Sequence, residues 1–320
     1  MTIRQNHRTS EPDTAGRYSE QHIQQNTQLH TQQHLLALHM ARLALRSLHA
    51  ELVLYPKPGL VSLRDNGSHT DMNAETFMRS LFSLRHYFKA MAMAGIRQAE
   101  FTELKQLGIQ AEQRMLIATA GINTHRGAIF ALGMLCAASA THLAHFAGTV
   151  DASAVRQTLL HYWGDALLKH TVVKGEPGTV SGASHGQQVA RQFAASGARE
   201  EAALGFPSVF ELALPRLHLS LHQGRSLPQA QVDSLFLLMA HISDTNLYHR
   251  GGAEGVAFTR TVAGGFLQRG GTAQPDWMAQ AEHCHQEFIA RRLSPGGAAD
   301  LLAATCFVYF VEQYAVNGMI

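Results

Sequence analysis

The sequence predicts an all-α protein, and three observations carry that prediction. Large apolar residues recur at helical spacing along most of the chain, no segment sustains the period-two alternation of a half-buried strand, and no proline occurs between Gly59 and Glu176. Taken in order, residues 1–33 are rich in Gln, His, Thr, Asn and Arg, with Ile3, Ile23 and Leu29 as the only large aliphatics. Too little apolar surface is available there to offset ordering entropy, so a disordered polar tail is expected. The catalytic body is expected over residues 34–320. Leu38, Ala41, Leu45, Leu48 and Leu52 then step by three and four, which places them on one helix face, and Phe77, Leu81, Leu84, Phe88 and Met91 repeat the rhythm. Further stripes run over Leu104 to Ala118, Ile129 to Ala144, Val155 to Leu168, Phe210 to Leu221, Val232 to Ile242, Trp277 to Ile289 and Leu301 to Tyr314. A single bundle of roughly ten or more helices follows. Its polar, glycine-rich connections are expected to converge on one cleft.

Composition narrows the class of function. With 320 residues, 46% of them hydrophobic, the chain can bury a substantial core. A formal charge of +2, from 26 basic and 24 acidic residues, provides no field of the kind that draws a protein onto nucleic acid or an anionic membrane. The three cysteines, Cys136, Cys284 and Cys306, are far apart and in apolar surroundings, which suits a reducing, cytoplasmic compartment. No run of eighteen apolar residues suggests a membrane span, and no apolar stretch near the N-terminus suggests a secretory signal.

Function is expected in the breaks between helices. The first, YPKPGLVSLRDNGSHTDMN at Tyr55 to Asn73, sets Lys57, Asp65, Asn66, His69, Asp71 and Asn73 within nineteen residues. A long connection so dense in acids, bases and amides is a functional loop more often than a spacer. Four others follow: GINTHRG at Gly121 to Gly127, VKGEPGTVSGASHG at Val173 to Gly186, DTNLYHRGG at Asp244 to Gly252, and LSPGGAAD at Leu293 to Asp300. Ser294 before Pro295 fits an N-cap followed by the first helical position, which would leave the Gly296 and Gly297 amides as an anion site. Asp65, Asp71 and Asp244, with the amides Asn66, Asn123 and Asn246, offer hard oxygen donors that suit Mg²⁺. His69, His125, His185 and His249 are too scattered for a zinc set and read as hydrogen-bonding or acid–base groups. Lys57, Lys174, Arg126 and Arg250 add cations beside them, as a polyphosphate cradle would. Lys174, Ser184 and His185 lie in the most glycine-rich break, a candidate lid. There is no GxGxxG, HExxH or P-loop order, and no strand pattern precedes the GASHG string at Gly182 to Gly186 as a nucleophile elbow would require.

These strings, YPKPGLVSLRDNGSHTDMN, GINTHRGAIFALG, SHG, GFP, DTNLYHRGG and SPGGAADLLA, in this order from Glu51 to Thr305, resemble the triphosphoribosyl-dephospho-coenzyme A synthases. NTHRG, with its arginine, is more similar to members serving malonate decarboxylase than to those serving citrate lyase. The resemblance implies a pentosyltransferase. The 2′-hydroxyl of 3′-dephospho-coenzyme A would attack the ribose C1′ of ATP, adenine would leave, and a separate acyl-carrier-protein transferase would take the product. It also carries over Lys57, Asn66, His69, Asp71, Asn123, His125, Arg126, His185, Asp244, Asn246, His249, Arg250 and Asp300 as site residues. Gly121, Gly127, Gly251, Gly252, Gly296 and Gly297 are implied as positions of close backbone approach. On this footing Asp71 and Asp244 are expected on Mg²⁺, and Lys57, Arg126 and Arg250 on phosphates. His69 and Asp300 are the expected acid–base groups, with Glu51 as a further base. Two other readings stay open at this point: a binuclear-Mg²⁺ hydrolase of the ADP-ribosylglycohydrolase kind, and a non-enzymatic helical scaffold that binds metal or partners. A homodimer is compatible with the sequence.

Overall fold

In the computed structural model, residues 14–146, 150–171 and 197–316 are described. They form eleven α-helices and no strand, as the apolar spacing predicts. Lys174, Ser184 and His185 lie outside the described residues. The apolar helix α5 (Arg126–His145) is buried from Ala128 to Thr141 on nearly every side. Around it pack α1 (Thr14–Val53), α3 (Arg85–Ile96), α4 (Phe101–Ala118), α6 (Ala152–Thr171) and α11 (Gly296–Val316). A run of small residues, Ala137 to Thr141, lets α3 come close, and the Thr141 hydroxyl donates to the Gly95 carbonyl at 2.8 Å. By length and apolar content α5 could cross a membrane, but 72% of that window is buried within the protein, as in a core helix. The remaining helices are α2 (Ala74–Ser83), α7 (Leu214–His222), α8 (Leu227–His241), α9 (Thr245–Gln268) and α10 (Trp277–Ala290).

Three expectations change. The stripe from Phe77 to Met91 is two helices, because the chain tightens at Leu84, whose N–H donates to the Leu81 carbonyl at 3.1 Å. Leu84 stays fully buried across that junction, so the sequence period survives while the axis breaks. The stretch Asp244 to Gly252 is the opening of α9 and not a loop. Asp244 caps it, and its kink falls at Gly252, with φ 59° and ψ −156°. Finally, the expected boundary at residue 33 falls inside α1, which is helical from Thr14. Burial changes there, since residues 26–35 are exposed apart from half-buried Gln33 and the core begins at Leu36. A polar segment can prolong a helix that is anchored downstream, because each added residue gains a hydrogen bond without a new nucleation cost.

Because the described side chains from residue 26 to residue 35 are not buried, deletion of residues 1–33 is expected to leave the melting temperature within a few degrees, and turnover within about twofold, of the full chain. A large fall in kcat on truncation would show that the polar segment belongs to the site.

Candidate functional site

One cavity of about 1080 Å³ is enclosed by the C-terminal end of α1, the loop from Leu54 to Asn73, the N-termini of α5, α9 and α11, and the inner face of α4. Three of the expected breaks therefore meet at helix N-termini. Glu51, His69, Asn123, His125, Arg126, Asp244, Asn246, Arg250, Ser294, Gly296, Gly297 and Asp300 all line this space.

Asp244 holds two of those termini together. Its Oδ1 accepts from the amides of Asn246 at 2.9 Å and Leu247 at 3.4 Å, at the start of α9. Its Oδ2 accepts from Ala298 at 3.1 Å, and Gly297 also donates to the carboxylate, at the start of α11. A carboxylate at a helix N-terminus complements the dipole and the orphan N–H groups. Gly297 is glycine because a Cβ there would lie 3.0 Å from this carboxylate, and a Cβ at Gly296 would lie 2.8 Å from the Asn246 amide nitrogen. The anion expected at the SPGG terminus is thus the protein's own. Ser294 does not cap α11: its carbonyl accepts from Gly296 at 3.0 Å, and its hydroxyl meets His69 Nε2 at 2.8 Å.

Asp300 repeats the arrangement at α5. It is half-buried, accepts from the Ala128 amide, and sits against Gly127, where a Cβ would clash with its Oδ2. Burial, first, and then the charges of Glu51 and Asp244 push its carboxyl well above the usual range, against the smaller opposing effect of the Ala128 amide. Glu51 is held by Lys57, whose Nζ lies 2.5 Å from Oε1 and 2.6 Å from the Glu51 carbonyl. Lys57 is 1% exposed and stands behind Glu51 without lining the cavity, which corrects its expected phosphate role. Burial lowers the Lys57 pKa, with Glu51 opposing. Removing one partner of a buried pair of this kind costs about 3–5 kcal/mol, because the other charge is left uncompensated. The loop carrying Lys57 is itself tied down by buried His285, which contacts the Lys57 carbonyl at 2.7 Å and Asp65 at 3.0 Å.

His125 is buried and lies at the end of a hydroxyl chain. Thr124 donates to the Ser80 hydroxyl oxygen at 2.7 Å, and Ser80 meets His125 Nδ1 at 2.6 Å. With Ser80 donating, Nδ1 is the acceptor and Nε2 carries the proton. Burial and then Lys57 push this imidazole down to about 3, so it is neutral, and its buried Nε2 has no hydrogen-bond partner among the described residues. It is a hydrogen-bond donor, not a phosphate-binding cation. His69 is also held toward its neutral form by burial and by Arg250, with Asp71 opposing. Arg250 Nη2 lies 3.1 Å from His69 Nδ1, and Nη1 reaches the Ser68 carbonyl at 3.2 Å. Arg126 pairs with Glu112, and its amide donates to Asn123 Oδ1 at 3.2 Å.

Other expected residues are not brought in. Asn66 and His249 are exposed, Gly251 packs its backbone against Leu293, Gly252 marks the kink, and none of the four lines the cavity. Asp71 is 58% exposed, 3.5 Å from His69 Nδ1, and likewise outside the lining. Asp71 and Asp244 do not fit a protein-held Mg²⁺, since four backbone N–H groups occupy Asp244 and Asp71 stands apart. Among the described residues, no group of three His, Cys, Asp or Glu side chains is arranged to hold a metal. Sequence reasoning missed Ser80, which resembles an ordinary helical serine, and Thr124, although it sits inside GINTHRG. It also missed Lys105, His170 and Arg199, which line the far end of the cavity.

Fold and cavity together define an all-helical enzyme whose buried carboxyl groups and helix N-termini surround one large space. Residues 37–318 match the CitG family, described as ATP:dephospho-CoA triphosphoribosyl transferase, and the chain belongs to that family. A relative from Pectobacterium atrosepticum, named 2-(5''-triphosphoribosyl)-3'-dephosphocoenzyme-A synthase, is 38% identical over 271 residues, covering 81% of this chain and 84% of the relative. Relatives from Acinetobacter calcoaceticus and Pseudomonas putida, named as probable synthases of the same kind, are 38% and 40% identical over 277 and 278 residues. Those alignments cover 87% and 85% of this chain, and 92% and 94% of the relatives. No solved structure matches.

Two outcomes follow from this geometry. Gly127→Ala is expected to displace Asp300, lowering kcat at least about tenfold and stability by about 1–3 kcal/mol; thermal unfolding together with turnover checks both. His125→Gln, which keeps an N–H near the Nε2 position, is expected to retain more turnover than His125→Ala, and equal loss in the two would remove the donor role.

Proposed function

We propose that the chain joins the ribose C1′ of ATP to the 2′-hydroxyl of 3′-dephospho-coenzyme A and releases adenine, with the triphosphate kept on the transferred ribose. The observation that carries this reading is Asp300, a half-buried carboxyl lining the cavity with its pKa held well above the usual range. Such a group stays protonated where an exposed carboxyl would be ionised, which is the property needed to protonate a departing base. Glu51 lies close enough to raise the Asp300 pKa, and Oε2 of Glu51 has no hydrogen bond among the described residues. In this reading Glu51 accepts the proton of the 2′-hydroxyl as the new C1′–O bond forms. The C1′–N9 bond breaks, its electron pair goes to adenine, and Asp300 supplies the proton that adenine takes up. A proton passing from Glu51 to neighbouring Asp300 then resets the pair. One carboxyl group as base and one as acid at an oxocarbenium-like centre follow the logic of glycoside chemistry.

His69 is engaged on both ring nitrogens, so we assign it to the cavity rim as a hydrogen-bonding group, together with Ser294 and Arg250. Arg250 and Arg126 are the proposed triphosphate contacts. Mg²⁺ enters as the counter-ion of ATP and is part of the substrate. The neutral His125 donor is proposed to hold a ribose or adenine acceptor atom, so that orientation lowers the barrier. Delivery of the product to a separate acyl-carrier-protein transferase is part of the same proposal, and three buried free cysteines support a reducing, cytoplasmic setting.

Incubation with ATP and Mg²⁺, with and without dephospho-coenzyme A, tests the reaction. Adenine release dependent on the acceptor is expected, and equal release without it would identify a hydrolase. Asp300→Asn keeps an acceptor for the Ala128 amide and is expected to lower kcat by about 10²–10⁴-fold. Because the folded pKa of Asp300 is raised, its unfavourable contribution to stability is absent below the unfolded value and grows as pH rises toward the folded value. The variant should therefore melt higher than the parent at neutral pH, with the gap closing near pH 4. A gap of the opposite sign would contradict the assignment.

A further inference from the structure

The cavity has a second end that the acidic centre does not use. Phe101 and Leu104 from α4, Phe130 and Met134 from α5 and Met91 from α3 line it with apolar surface. His170, at the end of α6, stands between two of these rings, with centroids 5.4 Å from Phe101 and 6.3 Å from Phe130. Lys105 and Arg199 line the cavity here as well, and both act electrostatically on His170. Neither has an ion pair or side-chain hydrogen bond among the described residues. Of the nearby acids, Glu112 is held by Arg126, and Glu201 accepts from the Ser208 amide at 3.1 Å and hydroxyl at 2.6 Å. Glu200 is the remaining acid of the lining on this side. Lys105 precedes Glu112 by seven residues, about 10 Å along α4, so this end is well removed from the Arg126–Glu112 pair beside α5.

We infer that this annex binds the pantetheine arm of the acceptor, with Lys105 and Arg199 on its pyrophosphate. The inference rests on the proposed reaction. In both substrates the reacting atom sits beside an adenine: C1′ bears the adenine of ATP, and the 2′-hydroxyl is one carbon further on the acceptor's ribose. Whatever extends farthest from the acidic centre is therefore either the triphosphate of ATP or the pantetheine arm. A lining of Phe, Leu and Met does not compensate several phosphate charges taken out of water, whereas it suits a chain of methylene and amide groups ending in a thiol. Lys105 and Arg199, without an ion pair among the described residues, match a pyrophosphate joined to that chain. The size agrees, since about 1080 Å³ exceeds the roughly 300–1,000 Å³ of a pocket for one drug-sized ligand.

Gly108 provides the test. It lines the cavity on α4, and a Cβ there would meet only the Tyr87 hydroxyl, at 3.8 Å. Gly108→Leu should fill the annex while favouring the helix, and Lys105→Glu with Arg199→Glu should reverse the charge at exposed positions. Steady-state kinetics with both substrates, and calorimetric titration of dephospho-coenzyme A, are to be measured on the full chain. For each variant the KM and Kd of dephospho-coenzyme A are expected to rise at least about tenfold, with the KM of ATP within about twofold of the parent. A rise confined to ATP, or no change in either, would overturn the annex. If the parent binds dephospho-coenzyme A in a way that Gly108→Leu abolishes, yet releases no adenine, the transfer reaction fails and the annex stands. Turnover with an unmoved acceptor KM has the reverse meaning.

Discussion

The carboxylate of Asp244, shared between the first amides of α9 and α11, is the constraint on which the rest of the cavity depends. Two helix N-termini would repel each other if they met bare, because each carries partial positive charge and unpaired N–H donors. One buried anion satisfies both. It fixes Asn246 and Arg250 on one side and Ser294 to Asp300 on the other, so that all face the same space. Asp300 then reaches the N-terminus of α5, bringing a third helix to the same point.

Gathering three termini in this way concentrates carboxyl groups, and the electrostatics of the cavity follow. Helix N-termini favour ionised carboxylates, while burial and mutual repulsion favour protonated ones. At Asp300 burial and the neighbouring acids outweigh its amide contact, and its carboxyl is displaced toward the neutral form. At Glu51 the buried Lys57 ammonium supplies a counter-charge within 2.5 Å. The result is two carboxyl groups in one cavity with different surroundings, which is how a single fold can hold an acid and a base at one pH. The same burial keeps His125 neutral, with its hydroxyl chain fixing which nitrogen bears the proton.

The helical class and most helices were legible because an apolar period of three and four survives in the sequence wherever a helix has one buried face. The Phe77 to Met91 stripe shows the limit, since a tight turn at Leu84 leaves the period unchanged. DTNLYHRGG reads as a loop because it is polar and ends in two glycines, yet an aspartate cap is enough to start a helix there. In the site, Asp300, Glu51, His69, His125 and Asp244 stood out by residue type and position near breaks. Their partners could not be read, because pairing across the fold is not a property of local sequence. Asp71 and Asp244 look alike in one dimension; only burial separates a carboxylate saturated by four amides from one exposed at the rim. Lys105, Arg199 and His170 were overlooked for a similar reason, since single charges on amphipathic helices usually face water.

The central claim is that Asp300 is a neutral acid inside the cavity at physiological pH. Difference infrared spectroscopy of the parent chain against Asp300→Asn measures it directly through the protonated-carboxyl stretch. The account predicts a protonated-carboxyl band at pH 7 in the parent that is missing from the variant and fades only as the solution is made more alkaline. A difference spectrum at pH 7 showing instead the loss of an ionised carboxylate would contradict it.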